Sequence, residues 1–176
     1  MPRITERRSF NGFDAKVGRL KLTPLVEEIE RAVTSFELRV TEERHANGTR
    51  PIRRMIDAGF EACGGWTKTI VGSVDWRKAN ELGGRIAVEV QVSGRSDMLA
   101  VDVLHLGKEL MGGTADAGVI VVPDDTLSRF LTDRTPNLNT ALRHIDSNMA
   151  VQVIAFRHDG LGPPIPKMRT NLGKAQ

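Results

Sequence analysis

"RIAVEVQVSG", residues 85–94, alternates with a period of two. Ile86, Val88, Val90 and Val92 fall on one face of an extended chain, and Ala87, Glu89 and Gln91 fall on the other. Just ahead of it, "NELGG" (80–84) carries the glycines of a turn, and "WTKTIVGSVDWRKA" (66–79) reads as extended chain bent at Gly72. Together these segments make an antiparallel hairpin. Its returning strand is aliphatic on one side and bears a carboxylate beside a carboxamide on the other.

The segments that follow show how this hairpin is covered. "SDMLAVDVLHLGKEL" (96–110) has helical spacing, with Met98, Val101, Leu104 and Leu110 as the expected inward face. "AGVIVVP" (117–123) is a continuous aliphatic run closed by proline, the pattern of a buried central strand. Asp124 or Asp125 caps a helix over "TLSRFLT", "NLNTALRHIDSNM" (137–149) is another short helix, and "VQVIAFRH" (151–158) is a last strand. Upstream, Thr23 as cap, Pro24 at the first helical position and Glu27 and Glu28 in the first turn start a helix. Leu25, Ile29, Val33 and Phe36 carry it to about Val40. "HANGTRP" is a loop, and "IRRMIDAGFEAC" (52–63) is a helix ended by Gly64-Gly65. Residues 1–23 show no clear periodicity and read as an N-terminal arm; residues 161–176 read as a basic Pro/Gly-rich tail. A hairpin followed by a helical crossover to a buried strand mixes antiparallel and parallel pairing. The expectation is a single α/β domain over 1–176, with a mixed central β-sheet flanked by helices on both faces.

Composition narrows the classes. The 176 residues are enough for one full hydrophobic core, with 40% apolar and 27% charged residues. No apolar run approaches a membrane span, and "MPRITERRSF" lacks the apolar stretch of a secretory signal. Cys63 is the sole cysteine, which excludes an internal disulfide and a multi-cysteine zinc site and fits a reducing, cytoplasmic setting. Net charge is +3, but the pI is about 9.3 and arginines cluster at Arg7-Arg8 and at Arg50, Arg53 and Arg54, with Lys167 and Arg169 near the end. Such clusters are either solvated surface or a polyanion footprint. The absence of tyrosine and the 5% aromatic content argue against a base-stacking platform for single strands.

An antiparallel return brings Asp75, on the first hairpin strand, towards Glu89 on the second, with Gln91 sharing the face of Glu89. Converging carboxylates beside an amide oxygen make an all-oxygen site suited to Mg²⁺. The competing reading is a polar sheet face turned to solvent. Two features weigh against it: Ala87 is small and apolar, and the strand lies directly before the crossover to the most buried strand. His45, His105, His144 and His158 show no metal-pair spacing and read as packing or surface. Ser73, Ser93 and Ser96 have no catalytic partner nearby in sequence, and Cys63 reads as a small buried residue. Asp97 and Asp102 read as helix-surface acids, with Asp97 alternatively a helix cap.

"VDW…RIAVEVQVSG", followed by a helix and the strand bearing Gly118, Val119 and Pro123, resembles the Asp…Glu-x-Gln variant of the PD-(D/E)XK nuclease superfamily. Within it the stretch is similar to type II restriction endonucleases of the BglII and BstYI kind. The resemblance spans about Gly64 to Pro123. It implies a restriction-endonuclease-like core in which Asp75 and Glu89 are metal ligands and catalytic residues. Gln91 takes the catalytic position that is lysine in most of the superfamily. It implies Mg²⁺ as cofactor, with Mn²⁺ able to substitute, double-stranded DNA as substrate, 5′-phosphate products, and a homodimer to match a symmetric site. On this reading Glu28, like Glu27 or Glu30, is a possible outer metal ligand, and Arg53, Arg54, Arg77 and Arg95 are DNA-binding candidates. The alternatives left open are a catalytically inactive DNA-binding or regulatory module on the same fold, and a structure-specific repair nuclease.

Overall fold

Strand alternation and helical stripes assemble here into one sheet with a hydrophobic layer on each side. A computed structural model describes residues 1–69, 73–92, 96–145 and 148–167. In chain order these form β1 (Arg3–Ser9), α1 (Phe13–Arg19), α2 (Thr23–Thr34), β2 (Arg39–Val40), α3 (Thr49–Cys63), β3 (Thr67–Lys68) and β4 (Trp76–Ala79). The chain continues through β5 (Arg85–Val90), α4 (Ser96–Met111), β6 (Ala117–Pro123), α5 (Asp125–Phe130), α6 (Leu138–Leu142), β7 (Val151–Arg157) and β8 (Gly160–Leu161). Six strands form a mixed sheet in the order β1-β7-β6-β5-β4-β3, and β2 pairs with β8 separately. β3, β4 and β5 are an antiparallel meander, β5, β6 and β7 run parallel, and β1 returns antiparallel to β7. Among the described residues no helix is long and apolar enough to cross a membrane.

The hairpin between β4 and β5 turns on Asn80. Its side-chain oxygen accepts from the amides of Leu82 (3.1 Å) and Gly84 (2.8 Å), while Gly83 takes the left-handed conformation the turn needs. Ile86, Val88 and Val90 pack on one side with Leu25, Ile29 and Val33 of α2 and Ile52, Ile56 and Phe60 of α3. Ala87, Ile120 and Val122 pack on the other with Leu99, Val103 and Leu106 of α4 and Leu138 and Ala141 of α6. Both layers are closely fitted. A Cβ at Gly59 would lie 2.3 Å from the Ala32 carbonyl oxygen, and one at Gly118 would lie 2.7 Å from the Leu106 side chain.

Four expectations change. The segment read as an arm is the edge strand β1 followed by α1, whose Phe13 and Val17 are core residues. Its periodicity is masked because an edge strand keeps charged side chains on its exposed positions. The helix from Thr23 stops at Thr34 instead of near Val40, and Thr23 lies inside it with no side-chain cap bond at Leu22. The inward face of α4 is Leu99, Val103 and Leu106; Leu104 is 64% exposed. That helix carries apolar residues on both sides, so spacing alone does not select its buried stripe. The second of the two helices from the hairpin's upstream side, α3, begins at Thr49, earlier than Ile52. By contrast, β6 spans the aliphatic run 117–123, and Asp124 caps α5 by accepting from the Leu127 amide at 2.8 Å. The bend at Gly72, and Ser93, Arg95, Arg169 and Lys174, lie outside the described residues.

Candidate metal centre

Three elements converge at the end of β5. The pairing of Trp76 with Val88 places Asp75, one residue before β4, across from Glu89. The Asp75 amide donates to Glu89 Oε2 at 3.3 Å, and the amide of Val90 donates to Asp75 Oδ2 at 2.8 Å. Asp75 is thus tied to β5 by both its main chain and its side chain. From α3, Arg53 reaches the same corner. Its Nη2 lies 2.6 Å from Asp75 Oδ1, its Nη1 donates to the Val90 carbonyl at 2.7 Å, and its Nε donates to Asp57 Oδ1 at 3.0 Å. Asp57, one turn further along α3, also accepts from Trp76 Nε1 at 3.1 Å and from Lys68 Nζ at 2.7 Å. The bonds of Arg53, Lys68 and the two aspartates are charge-assisted, which favours a fixed geometry.

Glu89 itself is buried, with 2% exposure, and points to the α4 side of the sheet, where strand alternation also puts Gln91. Gln91 extends the parallel ladder through its amide to the Val121 carbonyl at 2.9 Å and is likewise buried. The polar face of this strand is therefore interior, not solvated. Across from it α4 presents Asp102 and His105, three positions apart and hence on one side of the helix. His105 Nδ1 lies 3.7 Å from Glu89 Oε1, and one donor atom each from Glu89, Asp102 and His105 lie within 4.8 Å of one another. Among the described residues Glu89 Oε1 has no hydrogen-bond partner. A buried carboxylate oxygen in that state needs a proton or a cation.

Electrostatics say the same. Burial raises the Glu89 carboxyl, and the charges of Asp75 and Asp102 raise it further, to about 10. Asp102 is raised to about 7 by burial and by Asp75, with Arg53 opposing. Burial works against ionised Asp57 as well, but Lys68 and Arg53 hold its carboxyl below the ordinary range. Arg53 stays charged despite its burial because Asp75 and Asp57 face it. Glu89 and Asp102 are thus pushed towards the neutral acid unless something else supplies positive charge.

Of the residues singled out in the sequence, Asp75, Glu89 and Gln91 come together, and Arg53 joins them as a clamp on Asp75. The grouped donors are Glu89, Asp102 and His105, while both oxygens of Asp75 already hold Arg53 and the Val90 amide. Glu28 is engaged elsewhere, accepting from Trp66 Nε1 at 2.8 Å and Lys78 Nζ at 2.7 Å. Arg77 pairs with Glu109 at 2.5 Å and bonds Ser73, whereas Arg54 is exposed on α3. Arg95 lies outside the described residues. Asp102 and His105 were not selected by sequence reasoning; the signal for them is the i, i+3 pair on the helix that directly follows the Glu-x-Gln strand. No protein-family model matches the chain, and comparison with curated proteins gives no match.

Proposed function

We propose that this chain is a metal-dependent endodeoxyribonuclease with a restriction-endonuclease-like core. In this reading it is a type II restriction enzyme that hydrolyses phosphodiester bonds in double-stranded DNA at a short symmetric site, leaving 5′-phosphate ends. The observation that carries the reading is the unpartnered Oε1 of buried Glu89, set beside Asp75, Asp102, His105 and Gln91 at the end of a central strand. The order of α3, the antiparallel strands β3 to β5, α4 and the parallel strand β6 supports the same fold assignment.

The residues fit a divalent cation. Glu89 and Asp102 offer hard oxygen donors, the kind Mg²⁺ selects, and Mn²⁺ accepts the same set. When bound, such an ion polarises a phosphoryl oxygen and lowers the pKa of a coordinated water. Asp75, fixed by Arg53 and the Val90 amide, supplies negative charge at a set position beside Glu89. Gln91 offers an amide oxygen and an amide N–H to orient water, but it carries no charge and donates no proton to a leaving oxygen. Arg53 is spent on three internal partners, so phosphate contact falls to exposed groups such as Arg54. Cleaving both strands of a symmetric site takes two such centres related by a two-fold axis, hence a homodimer; DNA as substrate fits a cytoplasmic setting.

Incubation of a fully sequenced phage genome with the protein and Mg²⁺ or Mn²⁺ tests this. Discrete fragments are expected, and Glu89→Ala is expected to lose cleavage while keeping duplex binding within about tenfold, as for removal of a group acting on the transition state. Intact DNA under all divalent conditions, with a folded protein, would overturn the reading.

A further inference from the structure

We infer that the cation at this centre is held by an imidazole as well as by carboxylates. His105 Nδ1 would join Glu89 and Asp102 as a direct ligand, so that the site prefers Mn²⁺ or another first-row transition ion to Mg²⁺. The inference rests on the reading of this pocket as a cation site, and it is separable from DNA cleavage.

Three observations lead there. The His105 ring nitrogen that faces Glu89 is Nδ1, at 3.7 Å from Oε1, the one carboxylate oxygen with no hydrogen-bond partner. That distance is too long for a hydrogen bond. It suits two ligands in adjacent positions about one ion, since neighbouring donors at about 2.1–2.3 Å from a metal stand roughly 3–3.8 Å apart. Second, Asp102 and His105 share one face of α4 and complete a three-donor set within 4.8 Å, so a small side-chain movement closes it. Third, Asp75 is held by Arg53 and Val90, which leaves the α4 side as the open side of Glu89.

The ligand set predicts selectivity. Mg²⁺ demands near-ideal oxygen octahedra, whereas an imidazole nitrogen favours first-row transition ions, Mn²⁺ least among them and Co²⁺ and Ni²⁺ more. Electron paramagnetic resonance of the full chain titrated with Mn²⁺, without DNA, reads this directly. The expected result is one Mn²⁺ bound per chain, with spin-echo modulation from a directly coordinated nitrogen, and displacement by Mg²⁺ only at an excess on the order of 10²-fold. His105→Ala should remove the nitrogen modulation and weaken Mn²⁺ at least tenfold while changing Mg²⁺ affinity by less than about threefold. Nitrogen-free Mn²⁺ bound to the unaltered protein would overturn the imidazole ligand and leave the cation site standing, a result that needs no variant to fold. No Mn²⁺ or Mg²⁺ binding at all would remove both. Cleavage of DNA by a protein whose Mn²⁺ shows no nitrogen would separate this inference from the nuclease reading.

Discussion

Glu89 is stable in this pocket only as a neutral acid or as a cation ligand, and that makes a stability prediction with a definite sign. Its carboxyl is raised from an ordinary 4.5 to about 10, so the folded state binds a proton that the unfolded chain has released. Stability from this group is fully present below about pH 4.5 and is lost as pH rises towards the folded value. Asp102, raised to about 7, acts in the same direction over the interval from 3.8 to 7. Asp57, Glu109 and Asp159, all lowered, act oppositely, so the protein's own pH profile is a sum and does not isolate the site. Glu89→Gln does isolate it, because the amide is a permanently neutral isostere. With divalent ions chelated, Glu89→Gln should match the parent near pH 5 and exceed it by about 1–3 kcal/mol at pH 8. Urea unfolding at the two pH values reads the difference. Equal stability at both, or a loss at pH 8, would mean that Glu89 is ionised and satisfied in the folded protein.

The site depends on how closely α3 lies on α2, because α3 delivers Arg53 and Asp57 to the corner where Asp75 sits. Gly59 sets that distance: its missing Cβ would strike the Ala32 carbonyl, a main-chain atom that has no rotamer to escape into. Gly59→Ala should cost about 1–3 kcal/mol by overpacking, although alanine is the better helix former. Arg53 should shift away from Asp75 as the helix tilts. Denaturant melts check the first part. A gain in stability would show that the helices have room to spare. Legibility also divides by element. β6 and the β4–β5 hairpin were readable because a continuous aliphatic run and a Gly-Gly turn each leave few alternatives. Glu89 and Gln91 were readable as a pair because a period of two fixes their common face. β1 was not, since "RITERRS" is mostly charged and its pairing with β7 joins the two ends of the chain. The rest of the site was hidden by α4. With Leu104 taken as inward, Asp102 lies to the side of the buried face; with Leu99, Val103 and Leu106 inward, it stands one turn from both Leu99 and Leu106 and comes to the Glu89 side, with His105 next to it on the flank. A helix apolar on two sides leaves that choice to tertiary packing.

At the scale of the molecule a modest excess of basic charge surrounds an acidic pocket, and the two impose an order on binding. The chain carries +3 overall, yet among the described residues Asp57, Asp75, Glu89 and Asp102 face two cations, Arg53 and Lys68, with the His105 imidazole 3.7 Å from Glu89. Without a cation the two cations at the site, Arg53 and Lys68, are already paired with Asp57 and Asp75, so nothing there draws phosphate in. A divalent cation brings more positive charge than Glu89 gives up by losing its proton, and phosphate then gains a partner at the site. Duplex affinity should therefore rise at least about tenfold, or 1.4 kcal/mol, when Ca²⁺ is added at neutral pH. The two neighbouring arginines of α3 should then behave differently. Arg54 is exposed and, on the proposed reading, is free to contact phosphate; Arg54→Ala should then flatten the slope of log affinity against log salt by about one unit. Arg53 is bound to Asp57, Asp75 and the Val90 carbonyl, so Arg53→Ala should leave that slope unchanged. Its cost should appear in stability, on the order of 2 kcal/mol, because it takes the cation from partly buried Asp75 and leaves Asp57 to Lys68 and Trp76. Binding should also involve a dimer, seen by sedimentation of the free protein at micromolar concentration. Fluorescence titrations over a salt series for both variants, with and without Ca²⁺, carry the comparison. A slope that falls for Arg53→Ala and not for Arg54→Ala would place DNA against the clamp itself, and Asp75 would then have to release its arginine for DNA to bind.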